Sequence, residues 1–550
     1  MNAREGTSVD DSCEETPVHV RERTSVNAPR EGTPVTSALT AKYDRPGPRY
    51  TSYPTAVEFH AGVDADVYAA KLAEADAQVD APLSMYVHLP FCEERCTYCG
   101  CNVVITKHRD VAAQYLEYLE REIDLLAAHL SSRRAISQLH WGGGTPTYFT
   151  ADQLERLFGR IGAHFSFTPE AEIGVEIDPR VTSEAQLAAL RRCGFNRLSM
   201  GVQDFAPEVQ QAVNRIQSYE QTRDLIEAAR GLGYRSINVD LIYGLPYQTP
   251  AAFTRTLDQV LTLAPDRVAV YSFAFVPWMK AHMTHIPESA LPMADEKLAL
   301  LGLARTAFEG AGYVTIGIDH FACPDDELAR AVSAGTLGRN FMGYTVQSAR
   351  DMVGLGVSAI GDVQGAFVQH TKKLTEYYRA LDDGRFPVER GYLLDADDRI
   401  RRHVITELMC NGRVDGDDVE RRFGIRFADY FAAELDELAG ARLSPAEDRG
   451  RASGATTVPS RNRHESRQRC GQIRVADSAL SASPEDRGRG SQPSEARPLS
   501  LAEDGLVIAG PDGVEVTPLG RSFVRNVCMV FDRYLRVRTA GPTPVFSRTV

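Results

Sequence analysis

Short apolar, β-branched runs alternate with amphipathic helical stretches from about residue 83 onward. The runs predict strands at 83–89, 136–141, 172–178, 196–202, 236–244 and 267–273. Helical periodicity fills the intervals, near 110–129, 151–163, 183–193, 219–232 and 250–263, and returns at 293–311. Strand-then-helix units in series are typical of a parallel sheet with helices outside it. We therefore predict an α/β fold, a partial (β/α)6 TIM-like barrel.

The pattern changes to helices after about residue 395, at 398–411, 417–423 and 427–440. GLVIAGPDGVEV at 505–516 predicts a hairpin, because Pro-Asp-Gly is a turn signal, and a last helix is expected at about 518–535. We divide the chain into a disordered tail (1–40), an N-terminal segment (41–82), a catalytic domain (83–395), a small, mainly helical C-terminal domain (396–441 plus 501–540) and a disordered insertion (442–500).

Both segments assigned as disordered contain no Phe, Trp or Tyr and repeat short phrases. REGTSV at 4–9 returns in altered form at 21–26 and 30–35, and SPAEDRGR at 444–451 returns as SPEDRGR at 483–489. Segments so poor in large apolar groups do not offset the entropy of ordering their backbone. The insertion is rich in arginine, although the whole chain has a formal net charge of −13.

Composition and charge exclude several classes of protein. A nucleic-acid binder needs a basic face, which an acidic body does not supply, so no nucleic acid is expected as a partner. The chain has no run of 18 uninterrupted apolar residues, and its N-terminus lacks the apolar core of a secretory signal. We therefore expect a cytoplasmic protein without a membrane span.

Four of the ten cysteines fall within FCEERCTYCGCN. The spacing Cys92-x3-Cys96-x2-Cys99 differs from a structural zinc site, which usually draws its ligands from two separated pairs. Three thiolates suit a cubane iron–sulfur cluster whose fourth iron stays open to a reactive ligand. Such a loop directly after the first barrel strand is the radical S-adenosylmethionine signature. If Cys101 were a fourth ligand, the cluster would be closed and the protein an electron carrier; we favour Cys101 outside the cluster, near the substrate.

Polar or glycine-rich residues follow five successive predicted strands. The carboxyl ends of parallel strands meet at one rim of a barrel, so these side chains are expected to lie together. Glycines allow close backbone approach, and carboxylates and amides accept hydrogen bonds from a ribose or an amine. An ordinary loop and structural ion pairs are the alternative interpretation. We predict an S-adenosylmethionine site formed by Gly143, Gly144, Thr145, Glu176, Gln203 and Asp240.

Longer motifs carry a more specific resemblance. They include YVHLPFCEERCTYCGCN (86–102), LHWGGGTPTY (139–148), EIDPR (176–180), FNRLSMGVQDF (195–205), DLIYGLPYQTP (240–250), RNFMGYT (339–345) and KYDRPGPRYTSYPTA (42–56). With these motifs the chain resembles the oxygen-independent coproporphyrinogen III oxidase family. The likeness runs through about 41–441 and resumes at 501–535.

The resemblance implies that coproporphyrinogen III loses two propionate carboxyls without oxygen and becomes protoporphyrinogen IX, in haem biosynthesis. It implies a [4Fe–4S] cluster on Cys92, Cys96 and Cys99, which reduces S-adenosylmethionine to methionine and a 5′-deoxyadenosyl radical. That radical takes a hydrogen from the propionate β-carbon, after which CO₂ leaves and one electron goes to an acceptor. It also implies two S-adenosylmethionine molecules per site, a flavodoxin- or ferredoxin-like electron donor, and a monomer.

Site residues carry over by motif. Tyr86, Gly143 and Glu176 resemble contacts to the cluster-bound S-adenosylmethionine. The residues that resemble the remaining contacts to the two molecules are Tyr98, Gly144, Thr145, Gln203, Arg215, Asp240, Ala274 and Ile360. His88, Cys101 and Glu176 are the candidate catalytic residues. Arg215 suits the methionine carboxylate, because a guanidinium pairs bidentately with it.

Two further features complete the comparison with the family. Its N-terminal segment packs near the active-site mouth, so Arg45 or Arg49 is a candidate contact to a substrate carboxylate. Met342 stands where some members have glutamine. The nearest alternative function is that of the paralogous haem chaperone, which binds haem without decarboxylation, but CGCN and PRYTSYP in this chain favour the oxidase.

Overall fold

The computed structural model describes residues 36–346, 349–440, 500–538 and 546–549. The predicted insertion at 442–500 lies outside these residues except for Ser500, and so does most of the predicted tail. One helix, Ser37–Tyr43, begins inside the segment that was expected to be disordered; the Thr36 side chain caps it by accepting a hydrogen bond from the Leu39 amide. No helix among the described residues is both long enough and apolar enough to cross a bilayer.

The strands of the described residues are numbered here in chain order. They are β1 (Leu83–Leu89), β2 (Phe91–Cys92), β3 (Val104–Ile105), β4 (Ala135–Gly143), β5 (Ser166–Ile177), β6 (Arg197–Gln203), β7 (Ser236–Tyr243), β8 (Arg267–Ser272), β9 (Val314–Ile316), β10 (His320–Ala322), β11 (Gly338–Asn340), β12 (Gly343–Thr345), β13 (Met352–Leu355), β14 (Ile360–Val363), β15 (Ala366–His370), β16 (Val388–Leu393), β17 (Arg413–Asp415), β18 (Val507–Gly510) and β19 (Gly513–Val516).

One twelve-stranded sheet organises the molecule, in the order β16-β15-β14-β13-β1-β4-β5-β6-β7-β8-β10-β9. The six predicted strands are β1 and β4 to β8, and they pair in parallel in sequence order. The α/β prediction with its series of parallel strands is confirmed. The sheet stays open, because β8 continues into the antiparallel β10 and β9 while β1 continues into β13.

The strands β9, β10 and β13 to β16, which complete this sheet, were not predicted from sequence. β13 adds in parallel to β1, and β14, β15 and β16 continue the sheet as an antiparallel meander. β9, β10 and β13 are only three or four residues long. Such short segments carry too few residues for a periodic pattern, and sheet pairing supplies the constraint that their sequence lacks.

Helices cover the outside of the parallel strands at nearly the predicted positions. The helices of the described residues span Ser37–Tyr43, Ala65–Asp76, Arg109–His129, Ala151–Gly162, Glu184–Arg192, Pro207–Ala212, Tyr219–Gly231, Pro250–Leu263, Ala294–Gly310, Glu327–Ala334, Leu374–Asp382, Ala396–Asn411, Gly416–Phe423, Phe427–Tyr430, Ala432–Leu438, Val524–Val530 and Arg533–Val537. The helices at Ala151–Gly162, Glu184–Arg192 and Ala396–Asn411 begin with capping boxes, which satisfy amides that a helix start leaves unpaired.

The C-terminal part combines helices with a small sheet. The predicted hairpin is β18 and β19, and β17 adds to it as a third strand. The single helix expected at about 518–535 is instead a 3-10 turn at Gly520–Phe523 followed by two short helices. Asp532 caps the start of the second short helix, because its side chain accepts hydrogen bonds from the amides of Tyr534 and Leu535.

Two hydrophobic clusters hold these parts together. The larger one fills the space between the parallel strands and their helices. The second cluster joins Tyr43, Tyr50 and Tyr53 of the N-terminal segment to the C-terminal helices. Arg525 reinforces this contact, since its guanidinium donates to the carbonyls of Gly47 and Pro48.

A buried ion pair anchors the start of β13 beside β1. The side chains of Arg133 and Asp351 are 0% and 1% exposed, and Arg133 Nη1 lies 2.5 Å from Asp351 Oδ2. Arg133 also donates to the carbonyls of Ala75, Ala81 and Pro82. The pair therefore ties a helix end, the entry to β1 and β13 into one unit.

We predict that Asp351→Ala lowers the free energy of unfolding by about 3–5 kcal/mol, because it leaves the Arg133 guanidinium buried without its counter-charge. Asp382→Ala is the control, since Asp382 and its partner Arg121 are each 53% exposed; its cost should stay at or below about 1 kcal/mol. Urea unfolding followed by fluorescence compares the two variants. Equal midpoints would contradict the assigned role of the pair.

Candidate active site

One cavity opens at the carboxyl ends of the parallel strands, where the sequence predicted it. The loop after β1 forms one wall, and the ends of β4, β5, β6 and β7 form the others. Twelve of the candidate residues line this cavity: Cys92, Cys96, Tyr98, Cys99, Cys101, Gly143, Gly144, Thr145, Glu176, Gln203, Arg215 and Asp240.

Backbone hydrogen bonds hold the cysteine loop in place. The Thr97 amide donates to the Val213 carbonyl at 3.0 Å, and its hydroxyl donates to the Ala212 carbonyl at 3.2 Å. The Cys99 amide donates to the Cys96 carbonyl at 3.2 Å, which curls the loop into a tight turn. The hydroxyl of Thr145, at the end of β4, lies 3.5 Å from Cys92 Sγ.

Two arginines surround the second cysteine. Arg180 Nη2 and Arg215 Nη1 lie 3.7 Å and 3.8 Å from Cys96 Sγ. Asp178 joins the two guanidiniums, with Oδ2 at 2.7 Å from Arg180 Nη2 and 2.9 Å from Arg215 Nη1. Burial raises the pKa of Asp178, but the positive charges of Arg215 and Arg180 outweigh it and hold that pKa below its usual value. The carboxylate therefore stays ionised and orients both cations toward the thiol.

The cysteine side chains suit a cluster better than a single ion. Among the described residues, no three histidine, cysteine or acidic side chains converge closely enough to hold one metal ion. A cubane takes one thiolate on each of three irons, so its cysteines stand farther apart. The guanidiniums beside Cys96 would also offset the negative charge of a thiolate-bound cluster. Cys92, Cys96 and Cys99 thus fit the donor set of an iron–sulfur cluster.

The three glycines at the end of β4 are required by close packing. A Cβ on Gly142 would lie 2.7 Å from the Glu176 carboxyl, and one on Gly143 would lie 2.6 Å from the His88 ring. A Cβ on Gly144 would lie 2.6 Å from the carbonyl carbon of Pro90. Gly143 also has φ +115°, which side chains rarely adopt. The sequence predicted close approach here, and the structure adds that protein groups occupy the space beside each glycine.

Glu176 is fixed by hydrogen bonds from two neighbours on β4. The Gly143 amide donates to Oε2 at 3.1 Å, and His140 Nε2 lies 3.3 Å from Oε1. Burial raises the pKa of Glu176, but the contacts with His140 and Gly143 more than compensate and lower it. An ionised carboxylate at this point of the cavity attracts a cationic amine or accepts hydrogen bonds from a ribose.

Tyr86 and His88 lie behind the glycines and are not among the residues that line the cavity. The Tyr86 hydroxyl lies 3.0 Å from His88 Nδ1, and His88 Nε2 lies 2.9 Å from the Asn102 carbonyl. A carbonyl only accepts, so Nε2 carries the proton and Nδ1 accepts from Tyr86. Burial lowers the pKa of His88, which keeps the ring neutral. These two hydrogen bonds link β1 to the last part of the cysteine loop.

Two buried polar atoms in the cavity wall lack a partner among the described residues. Gln203 Oε1 and Arg215 Nε make no hydrogen bond to any of them. Gln203 also has φ +70°, a strained value for a residue with a side chain. Buried polar groups are normally hydrogen-bonded, so these atoms point to a polar ligand in the cavity.

Asp240 lines the cavity from inside β7. Its carboxylate accepts hydrogen bonds from Ser199 Oγ at 3.0 Å and from Asn238 Nδ2 at 2.7 Å. Burial, and then the nearby negative charge of Glu176, raise the pKa of Asp240 to about 6. Asp240 also borders a second cavity inside the sheet, which His140, His320 and Met342 line.

The other candidates lie outside the main cavity. Ala274 and Ile360 are not among the residues that line it; Ala274 follows β8 and Ile360 begins β14. Arg49 reaches the end of β8, where its Nη2 donates to the Ser272 carbonyl at 2.6 Å. The Met342 amide donates to Asn340 Oδ1 at 2.8 Å.

Sequence reasoning gave no role to several residues that line this cavity. Arg180 and Ser199 were part of quoted motifs but received no role, and Tyr271 was not singled out, although all three line the cavity. Ser199 lies inside β6 at a position that alternates with buried residues, a signal for an inward-facing polar side chain. Nothing in the local sequence identifies Arg180, because its contact with Cys96 spans 84 residues.

Comparisons with known proteins agree with this geometry. Residues 86–260 match the model of the Radical SAM superfamily. The chain is 41% identical over 499 residues to the oxygen-independent coproporphyrinogen III oxidase of Pseudomonas aeruginosa, covering 90% of this chain and 95% of that one. It is 42% identical over 514 residues to the enzyme of the same name from Salmonella typhimurium, covering 93% of this chain and 98% of the relative.

The chain belongs to the oxygen-independent coproporphyrinogen III oxidase family.

A solved structure supports this assignment at the level of the fold. Coproporphyrinogen III oxidase from Escherichia coli, described as a radical SAM enzyme, is 40% identical and matches with a TM-score of 0.75 over 88% of this chain and 97% of that chain. The resemblance derived from sequence is therefore confirmed. Radical SAM chemistry implies a [4Fe–4S] cluster and S-adenosylmethionine, in agreement with the cysteine loop of this oxidase-family chain.

The pKa of Asp240 leads to a prediction for ligand binding. S-adenosylmethionine carries positive charge, so it should bind best while Asp240 is ionised, above about pH 6. Affinity should then fall by up to about tenfold per pH unit below that value. Anaerobic equilibrium dialysis of the reconstituted protein between about pH 5 and 8 measures the dependence. Asp240→Asn should bind more weakly at pH 8 and lose the dependence; a wild-type-like pH profile in that variant would contradict the assignment.

Proposed function

We propose that this chain catalyses the oxygen-independent oxidative decarboxylation of coproporphyrinogen III. Two propionate side chains would lose their carboxyl groups, which gives protoporphyrinogen IX in haem biosynthesis. One observation carries the proposal: the C-x3-C-x2-C loop and the polar strand ends line a single cavity, in a chain that shares about 41% of its residues with curated oxidases along nearly their whole length.

Cys92, Cys96 and Cys99 are the proposed ligands of a [4Fe–4S] cluster. When bound, the cluster and S-adenosylmethionine supply the radical that removes a hydrogen atom from the propionate side chain. The chain positions the cysteines through the amides and carbonyls of their own loop and through Thr145. Arg180 and Arg215 place positive charge at the Cys96 sulfur, which favours the reduced state of a cluster held there.

Two S-adenosylmethionine molecules per site are part of the proposal. Tyr86, Gly143 and Glu176 are assigned to the cluster-bound molecule. The other assigned residues are Tyr98, Gly144, Thr145, Gln203, Arg215, Asp240, Ala274 and Ile360. The unpaired atoms of Gln203 and Arg215 support a polar ligand on the side of the cavity away from β4. Ala274 and Ile360 are not among the residues that line the cavity. Their proposed contacts therefore require that part of a bound S-adenosylmethionine molecule extends beyond the cavity.

His88 and Cys101 are the proposed additional residues near the reaction, and Cys101 is the one that we assign next to the substrate. Cys101 is exposed and lines the cavity, whereas neutral His88 holds the loop through the Asn102 carbonyl. The structure suggests that His88 acts by positioning. Asn102 Nδ2 in turn donates to the Lys372 carbonyl at 3.4 Å, which links the loop to the chain after β15.

An anaerobic assay tests the reaction directly. The reconstituted protein, with coproporphyrinogen III, S-adenosylmethionine and a reductant, should form protoporphyrinogen IX, methionine and 5′-deoxyadenosine. Cys96→Ala should abolish product formation and lower the iron content, because one corner of the cluster loses its ligand. Cys193→Ala is the matched control, since Cys193 ends a helix outside the loop and should retain both.

Other outcomes of the same assay would contradict the proposal. Haem binding without turnover would favour the chaperone function, and a cluster whose spectrum does not respond to S-adenosylmethionine would favour a closed electron-transfer site. Equilibrium dialysis should give two molecules of S-adenosylmethionine per chain in the wild type. A stoichiometry of one would contradict the two-molecule arrangement alone.

Arg49 is the proposed contact to a substrate carboxylate. Its guanidinium lies at the end of β8, where it donates a hydrogen bond to the Ser272 carbonyl. A carbonyl is neutral, so this bond does not compensate the positive charge of Arg49. Arg49→Gln should lower kcat/KM for coproporphyrinogen III by about 10- to 100-fold, the effect of losing a charged hydrogen bond. Cluster content and S-adenosylmethionine binding should not change. Arg385→Gln, at an exposed site, is the control; unchanged kcat/KM in Arg49→Gln would exclude this contact.

A further inference from the structure

A cationic surface with exposed apolar side chains flanks the cysteine loop. We call it the donor face and define it by Arg95, Trp278, Met279, Lys280 and Lys372. Trp278 and Met279 are 44% and 63% exposed, although large apolar side chains are usually buried. They precede Lys280 in the chain segment that follows β8.

Among the residues that the structure describes, no ion pair neutralises the positive charges of the donor face. Nearby Lys107 and Lys373 pair with Glu94 at 3.6 Å and Glu376 at 2.8 Å. No such pair joins Arg95, Lys280 or Lys372 to a carboxylate of the described residues. Burial, together with the charges of Arg390 and Lys280, lowers the pKa of Lys372, while Glu389 acts in the opposite direction. The cations therefore stand close enough to repel one another.

The same segment makes direct contact with the cysteine loop. His282 Nε2 donates to the carbonyl of Cys99 at 2.8 Å, and Lys280 Nζ donates to the carbonyl of Cys101 at 3.2 Å. Cys99 is a proposed cluster ligand, so a hydrogen bond joins the segment behind the donor face to the backbone of that ligand. A partner bound here would stand a short distance from the cluster.

We propose that the donor face is the docking surface for an acidic protein that delivers single electrons to the cluster. The inference rests on the proposed function, which requires an external reductant. In each delivery a reduced flavin or iron–sulfur centre of the partner loses one electron, and the cluster gains that electron. A partner with a negative surface complements the cations, and its apolar contacts cover Trp278 and Met279.

The shape of the region favours a protein over the tetracarboxylate substrate. Among the five residues of the donor face, only Arg95 lines the active-site cavity. Small ligands bury most of their surface in concave sites, whereas exposed aromatic and methionine side chains with a charged rim are typical of protein interfaces. The chain has a formal net charge of −13, so an acidic partner would be repelled over most of its surface and drawn to this patch.

Charge reversal on the donor face tests the proposal with a readout that precedes decarboxylation. The variants are Met279→Glu, Lys372→Glu and the double variant, because neither residue lines the active-site cavity. The probe is an acidic bacterial flavodoxin in its hydroquinone state, mixed anaerobically with the reconstituted protein while cluster bleaching is followed. Photoreduced 5-deazaflavin, a small reductant, is used in parallel. Arg426→Glu, at an exposed helix start far along the chain, is the matched charge control.

The donor-driven second-order rate should fall by roughly tenfold or more in the double variant at low ionic strength, and the difference should shrink as salt is added. The deazaflavin-driven rate, the iron content and the Arg426→Glu rates should match the wild type. Equal flavodoxin rates in all proteins would overturn the inference. So would a loss that appears with both reductants, since it would report damage to the cluster.

Two further outcomes separate this inference from the proposed function. If the variants raise KM for coproporphyrinogen III with deazaflavin as reductant and leave flavodoxin rates unchanged, the surface binds substrate and the inference is wrong. If no protein forms product with any reductant but the flavodoxin rates still depend on the donor face, the docking surface stands and the proposed reaction fails.

Discussion

The site depends on how closely the end of β4 approaches the chain that follows β1. The parallel register pairs His88 with Gly142 and Leu89 with Gly143, so the two strands end side by side. A Cβ on Gly144 would lie within 2.7 Å of the Pro90 and Phe91 carbonyl oxygens, a distance that real side chains do not adopt. The Gly144 amide instead donates to the Leu89 carbonyl at 2.8 Å. Backbone contact of this kind fixes where the cysteine loop starts, and the positions of Cys92 and Thr145 follow from it.

Charge is distributed so that the cysteine loop meets cations from several elements. Arg180 and Arg215 reach Cys96 from the ends of β5 and the helix after β6, and Asp178 keeps both oriented. Removing one partner of such a buried arrangement leaves an uncompensated charge, which is strongly unfavourable. Glu176 and Asp240 line the same cavity, and their pKa values shift in opposite directions because only the contacts of Glu176 outweigh its burial. One cavity thus combines two guanidiniums beside a cysteine thiol with two carboxylates.

The sequence predicted the parallel strands and the cavity residues because both depend on local patterns. The apolar run at 83–89 coincides with β1, and polar residues at strand ends converge whenever the strands are parallel and in order. Contacts between residues far apart in the chain could not be predicted from local patterns. Arg180 touches Cys96 across 84 residues, and Arg133 meets Asp351 across 218. The short strands β13 to β16 were not predicted either. They form through pairing with β1 and with each other, and local sequence does not predict such pairing.

The described residues that border the segment 441–499 lie next to each other. The Ala502 amide donates to the Leu438 carbonyl at 3.0 Å, and a Cβ on Gly440 would lie 2.7 Å from the Ser500 Cβ. The chain therefore leaves and re-enters the folded domain at one point. Loop-closure entropy grows slowly with loop length, so extra residues between two adjacent ends cost little stability. Leu438 and Leu501 both belong to the second hydrophobic cluster, so the same packing anchors both ends of this connection. None of the described residues from 396–440 or 500–538 lines the active-site cavity, so these anchors lie apart from the site.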